Sequence, residues 1–190
     1  MYPNNSPDDR APAHTNPLAP HWLQVPHPDL NVLDNGIWSS TARRNDAGEL
    51  TLGGVPATEI IETFGSPCYV IDEADVKARA SQVRDAFTVA FGRIGAQVEL
   101  HYASKALLTG HIAAWMVEAG LGLDVASLGE LEVALAVGVS PAVIGLHGNN
   151  KTEQTLHRAV SVGVGSIIID SVQEAVSYTH LRAHETRGNL

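Results

Sequence analysis

Four times between Gln97 and Ser171 the chain runs through a short apolar stretch, meets a polar side chain and then changes to helical spacing. The stretches are Gln97-Val-Glu-Leu-His-Tyr-Ala-Ser-Lys105, Gly122-Leu-Asp124-Val-Ala-Ser127, Val143-Ile-Gly-Leu-His147-Gly-Asn149-Asn150 and Ser166-Ile-Ile-Ile-Asp170-Ser171. Strands that alternate with helices form a parallel sheet, because each helix returns the chain to the same end. The polar termini Lys105, Asp124, His147 and Asp170 lie 19, 23 and 23 residues apart. That interval suits one strand, a helix of about three turns and two short loops. The recurrence is one of design, since the segments do not copy one another.

The intervening segments carry helix signals. Ile112, Trp115, Met116 and Ala119 fall at i, i+3, i+4 and i+7, with Gly120 placed to end the helix. Ser127 and Glu130 have the spacing of a capping box ahead of Leu128, Leu131 and Leu135, and Gly138 is the stop. Leu156, Ala159 and Val160 share a face before Gly163, and Ser171 with Glu174 repeats the capping box. Upstream, a short strand is expected at Cys68 to Ile71. A helix begins there at Asp72, with Val76, Ala80, Val83, Phe87 and Phe91 as its apolar stripe. The four strands are apolar enough to be buried, as parallel strands usually are.

These units number too few to close. An eight-unit barrel takes about 250 residues, whereas this chain has 190, with four strands after Ala96. The expected fold is therefore α/β, a partial (β/α)8 TIM-type barrel truncated before it closes. Residues 1–36 form a leader expected to be poorly ordered, since residues 1–28 hold seven of the ten prolines. Within 37–176, the expected barrel part, the pattern up to Leu52 is irregular, with Trp38 as its candidate anchor. Gly53-Gly54-Val55-Pro56 marks a turn, and Ala57 to Phe64 a short helix. After Val176 helical spacing stops, and residues 177–190 resemble an adapter-derived, non-native tail. His180 and His184 stand one helical turn apart, but two ligands without a third do not make a zinc site; no metal is expected.

Composition excludes several functions. A net charge of −9 and a pI near 5.3 do not suit a phosphate-binding surface, so nucleic acid is not an expected partner. The single Cys68 has no partner for a disulfide or thiolate metal site, which fits a reducing compartment. No run approaches a membrane span and no signal peptide is visible, so a cytoplasmic location is expected.

Chemistry concentrates at the strand ends. A partly desolvated lysine there, such as Lys105, can form a Schiff base, whereas a solvated surface lysine would be inert. Asp124 ends the second strand, where it either orients Lys105 and stabilises its protonated form or simply caps a loop. His147, Asn149 and Asn150 cluster at the third strand end, to hydrogen-bond a bound group or to start a helix before Thr152. Glu130 and Asp170 are explained as well by capping.

With Tyr102-Ala-Ser-Lys105, Gly120-Leu-Gly-Leu-Asp124-Val-Ala-Ser-Leu-Gly-Glu130 and His147-Gly-Asn-Asn-Lys151 in this order, the chain resembles the fold-type III pyridoxal-phosphate decarboxylases. The resemblance covers about Ile37 to Val176 and is strongest for the diaminopimelate decarboxylase branch, through the His-Gly-Asn-Asn-Lys run. Gly65-Ser-Pro-Cys-Tyr-Val-Ile-Asp72 is similar to that family's approach to its first long helix, and Ser127-Leu-Gly129 replaces a common glycine pair.

The resemblance implies the barrel of the alanine racemase-like enzymes followed by a C-terminal β domain, with pyridoxal 5′-phosphate as cofactor. It implies Lys105 as the catalytic lysine holding the cofactor as an internal aldimine. Ala103, Asp124, His147 and Asn149 would stand around that cofactor. It further implies an amino-acid substrate, meso-2,6-diaminopimelate converted to L-lysine, and a homodimer in the full-length protein. The phosphate loop, the partner of the pyridine nitrogen and the substrate residues are expected beyond this chain, which alone is expected to be inactive and poorly soluble. An ornithine- or arginine-type decarboxylase of the same fold, or a non-catalytic pyridoxal-phosphate-binding barrel, remain as alternatives; an alanine racemase-like enzyme suits the third motif less.

Overall fold

The computed structural model describes residues 32–34, 36–176 and 178–179. Most of the proline-rich leader and most of the 177–190 tail, including His180 and His184, lie outside the described residues. The chain divides after Asp72 into two compact units, a division that falls inside the 37–176 stretch expected to belong to the barrel.

The first unit carries a small antiparallel sheet, β1 (Arg43–Arg44), β2 (Leu50–Leu52) and β3 (Val55–Pro56), in the order β1-β2-β3. Gly53 and Gly54 join β2 to β3 with φ of 59° and 83°. A two-residue hairpin turn needs positive φ at both positions, which glycine adopts without a Cβ clash. Helix α1 (Ala57–Phe64) follows as expected. Its N-cap is Pro56, whose side chain caps nothing, so Glu49 on the neighbouring loop substitutes. Glu49 accepts the Thr58 amide at 2.9 Å and the Thr58 hydroxyl, and these bonds hold its carboxyl below the usual range. Ala42 is the buried apolar residue of this unit, while Trp38, the expected anchor, is 36% exposed.

The second unit opens with α2 (Glu73–Gly92). Then come β4 (His101–Ala103), α3 (Gly110–Glu118), β5 (Gly122–Val125), α4 (Leu128–Ala136), β6 (Ile144–Leu146), α5 (Glu153–Val162) and β7 (Ser166–Ile167). Residues 172–176 are helical again. The strands pair in parallel in the order β4-β5-β6-β7, so neighbours in sequence are neighbours in the sheet. This is the partial, unclosed α/β barrel that the recurrence predicts.

Helix boundaries follow their caps. Thr109, Ser127 and Thr152 each accept a backbone amide of the first turn of α3, α4 and α5. Gly120, Gly138 and Gly163 take left-handed conformations just past the helix ends. Both predicted capping boxes form with one change. Glu130 Oε2 takes the Ala126 amide at 2.6 Å and Glu174 Oε2 the Asp170 amide at 2.9 Å, one residue before the capping serine in each case.

The core lies between the sheet and its helices. Leu123, Val125, Ile144 and Leu146 are fully buried against Ala113, Leu131, Ala134 and Ala159, which are equally buried. Burying a side chain of the Leu or Ile class contributes about 1.5–3 kcal/mol. β6 is buried throughout, but β5 alternates, with Leu123 and Val125 buried and Gly122 and Asp124 half-buried. A parallel strand that alternates has two unlike faces, and here the second face is polar.

Three expectations are corrected. Residues Cys68 to Ile71 are extended without strand pairing and are exposed, because no described segment offers them a ladder. The α2 stripe is buried at Ala80, yet Val83, Phe87 and Phe91 are exposed, with the two phenylalanine rings stacked at 6.2 Å. The first strand is confined to His101–Ala103 and the last to Ser166–Ile167, so Asp170 stands three residues beyond its strand.

Candidate active site at the strand ends

Strand register builds the site. Ala103, Asp124, Gly145 and Ser166 are partners across β4, β5, β6 and β7, and residues in register project to one face of the sheet. This is the face opposite Leu123 and Val125. His101, two residues before Ala103, shares it, and His147 follows directly from β6. A Cβ on Gly145 would sit 2.8 Å from Asp124 Oδ1 and 3.1 Å from Ser166 Oγ. The missing side chain at 145 is therefore the space that the carboxylate occupies.

Asp124 is the hub. Its Oδ1 is 3.1 Å from His101 Nδ1 and 3.2 Å from His147 Nε2. His101 comes from β4 and His147 from just after β6, so the two imidazoles flank the same oxygen. His101 Nδ1 is buried and its approach is out of line for a hydrogen bond, so it has no such partner among the described residues. Ser104 Oγ is buried and unpartnered in the same way. Asp124 is the third of four residues in β5, with Val125 completing the strand.

Lys105 lies in a 3-10 turn, Ser104–Ala106, immediately after β4. The Tyr102 hydroxyl reaches over this turn to donate to the Leu107 carbonyl at 2.9 Å, and burial pushes that phenol up, so it remains a donor. Lys105 makes no ion pair with a described residue, but it is exposed, so the partial desolvation expected of it is not found: its 3-10 turn lies past the end of β4, outside the buried sheet. Its two fellow lysines differ, and the chain has only three. Lys77 is bound by Glu73 at 2.8 Å and Glu118 at 3.0 Å, bonds that raise its pKa. Lys151 is sealed against Glu174.

Of the residues expected at the site, Asp124 and His147 are brought into contact, Ala103 lies in register with Asp124, and Asn149 and Asn150 are exposed on the loop after β6. Asp124 touches the two histidines where sequence alone paired it with Lys105. His101 escaped notice as a site residue, although its signal was present: in an alternating strand, positions 101, 103 and 105 share a face. Among the described residues no group of three or more His, Cys, Asp or Glu is placed to hold a metal ion, and no helix is long and apolar enough to cross a membrane.

Sequentially ordered parallel strands with a lysine, a carboxylate and a histidine at their C-terminal ends define part of an α/β barrel with its site on the strand ends. Comparison supplies the family. Residues 73–185 match the family model for the pyridoxal-binding domain of pyridoxal-dependent decarboxylases. The chain is 43% identical over 143 residues to a diaminopimelate decarboxylase of Actinosynnema pretiosum subsp. auranticum, which covers 75% of this chain and 31% of that protein. It is 40% identical over 146 residues to the Mycobacterium bovis diaminopimelate decarboxylase, covering 77% and 31%. The crystal structure of diaminopimelate decarboxylase from M. jannaschii in co-complex with L-lysine superposes with a TM-score of 0.72 at 27% identity, over 78% of this chain and 34% of that one. The chain belongs to the pyridoxal-dependent decarboxylases of fold-type III, on the diaminopimelate decarboxylase-like side, and spans about a third of the length of the relatives it matches.

Proposed function

We propose that the protein to which this chain belongs decarboxylates meso-2,6-diaminopimelate to L-lysine, with pyridoxal 5′-phosphate bound through Lys105. One observation carries the cofactor's place: among the described residues Lys105 alone of the three lysines makes no ion pair, and it stands at the C-terminal end of a barrel strand. Condensation with an aldehyde needs a free amine, and an ammonium held by carboxylates is a poor source of one. The Ser104 Oγ beside Lys105, buried and without a hydrogen-bond partner among the described residues, fits a polar contact to a bound group. Pyridoxal phosphate, when bound, supplies the electron sink that loss of carbon dioxide requires.

The remaining roles belong to side chains of the polar face. Asp124 Oδ1, between His101 and His147, places a carboxylate at the centre of that face. Ala103 contributes a small side chain in the same row, and Asn149 with His147 offers polar contacts above it. The substrate follows the named relatives at 40% identity and above. A homodimer and a cytoplasmic location complete the proposal, and the 190-residue chain alone is expected to release little or no lysine.

The test is direct. The chain is incubated with pyridoxal phosphate, reduced with borohydride, digested and analysed by mass. The expected result is a pyridoxyl group on Lys105 alone; labelling confined to Lys77 or Lys151, or none, overturns the assignment. For the substrate, a panel of diaminopimelate, ornithine and arginine is offered to the protein extended to the length of its relatives. Product only from ornithine or arginine would replace the substrate proposed.

A further inference from the structure

Lys151 has an environment that nothing in the reaction demands of it. Its side chain is 0% exposed. Burying an ammonium is costly unless its donors are met, and here they are met from two separate connections. Nζ donates to the Gly148 carbonyl on the loop after β6 and to the Ile168 carbonyl after β7. It also donates to both Glu174 oxygens, at 3.0 and 3.1 Å, and Asp170 Oδ2 stands 3.7 Å away. Glu174, 8% exposed, is fixed in turn by the Asp170 amide at 2.9 Å. The two segments bridged by Lys151 also leave adjacent strands. The His147 amide donates to the Val125 carbonyl at 2.7 Å and the Ile168 amide to the Leu146 carbonyl at 2.9 Å.

We propose that Lys151 is a positioning residue: its ammonium ties the 147–151 loop to the 168–174 segment and thereby sets where His147 presents Nε2 to Asp124. Four acceptors from two loops converge on one nitrogen, so the loops share a single reference point. A methionine of similar length would leave the Gly148 and Ile168 carbonyls and the Glu174 carboxylate without their donor. The loop after β6 would then keep its strand anchor at His147 and lose the other. The inference rests on the proposed cofactor site only in its last step, the effect on Lys105.

Native-state hydrogen exchange on the full chain tests the tie without cofactor. In Lys151→Met, exchange at the His147, Ile168 and Asp170 amides is expected to rise by at least about tenfold, as loss of a buried charged partner warrants. The Ala113 and Leu131 amides of α3 and α4 should not change. Unchanged exchange everywhere, or an equal rise everywhere, overturns the proposal, the latter because it marks a general stabiliser. Should Lys151→Met fail to fold, Glu174→Gln retains shape and a weaker acceptor; a smaller rise confined to the same three amides is expected, and a uniform rise or none overturns the idea. In a second arm, borohydride trapping should yield less pyridoxyl-Lys105 in folded Lys151→Met than in wild type. Equal yields overturn the link to the site. If the wild-type chain traps nothing at Lys105, the functional reading fails while the exchange result still decides the role of Lys151.

Discussion

Lys105 and Lys151 both follow a strand of the same parallel sheet, yet one is exposed without an ion pair among the described residues and the other is enclosed by two carbonyls and a carboxylate. The residue type is the same, so environment separates them. An ammonium with every donor spent is a structural link, whereas the proposed cofactor role needs an amine that no carboxylate holds. Strand-end position alone therefore does not separate the two lysines; what surrounds each ammonium does.

The sharpest way to break this contrast is Lys105→Arg. The charge is kept, but a guanidinium does not condense with the aldehyde, so trapped pyridoxal phosphate should fall to background. Trapping that moves to Lys151 would show its enclosure to be ineffective. Glu174→Gln probes the other lysine. Burial disfavours the Glu174 carboxylate, yet the Asp170 amide and Lys151 hold its pKa below the usual range. A carboxyl with a depressed folded pKa contributes stability in full above its unfolded value, about 4.3, and loses it as pH falls through the lower folded value. Chemical denaturation should show Glu174→Gln less stable by about 1.5–3 kcal/mol at neutral pH, with the gap closing in acid.

Gly145→Ala tests the polar face of the sheet that carries Asp124. Its Cβ would meet Asp124 Oδ1 at 2.8 Å, so the carboxylate that lies beside the two histidines must move. A loss of about 1–3 kcal/mol is expected in a denaturant melt. Gly129→Ala is the control: its nearest neighbour is 4.0 Å away within α4, where alanine is the better helix former. The smallest effect belongs to Ser127→Ala, which removes the α4 cap at a cost of about 1 kcal/mol and should leave amine labelling at both lysines unchanged.

The same residues mark how far sequence could lead. Helices α3, α4 and α5 were legible because their signals are local: a capping hydroxyl, apolar side chains at helical spacing and a glycine stop. The strand order followed from the alternation of elements. Strands β1, β2 and β3 were hidden, because two or three residues carry no periodicity. Residues Cys68 to Ile71 looked like a strand on composition, but pairing requires a partner segment that composition does not encode. The α2 stripe was right in period and wrong in extent, since burial depends on what lies opposite.

At the site, the residue types and their strand ends could be read from spacing, whereas the partnerships could not. Asp124 meets His101 and His147 from positions 23 residues away on either side, through register that only the folded sheet sets. Lys151 and Glu174 are likewise separated by 23 residues, and each had a sufficient local explanation, one in a motif and one in a cap. A residue that already has a local role gives no sign of a distant one.

Glu174 performs a task that Glu130 does not. Both reach back to a backbone amide before their helix, but Glu174 is also the counter-ion of a buried lysine. In a library of all single substitutions, position 130 should tolerate glutamine and other polar replacements, while position 174 should accept few. Sequence drift at 174 is then constrained by a loop that lies one strand earlier, and divergence at 151 and 174 should proceed as paired changes.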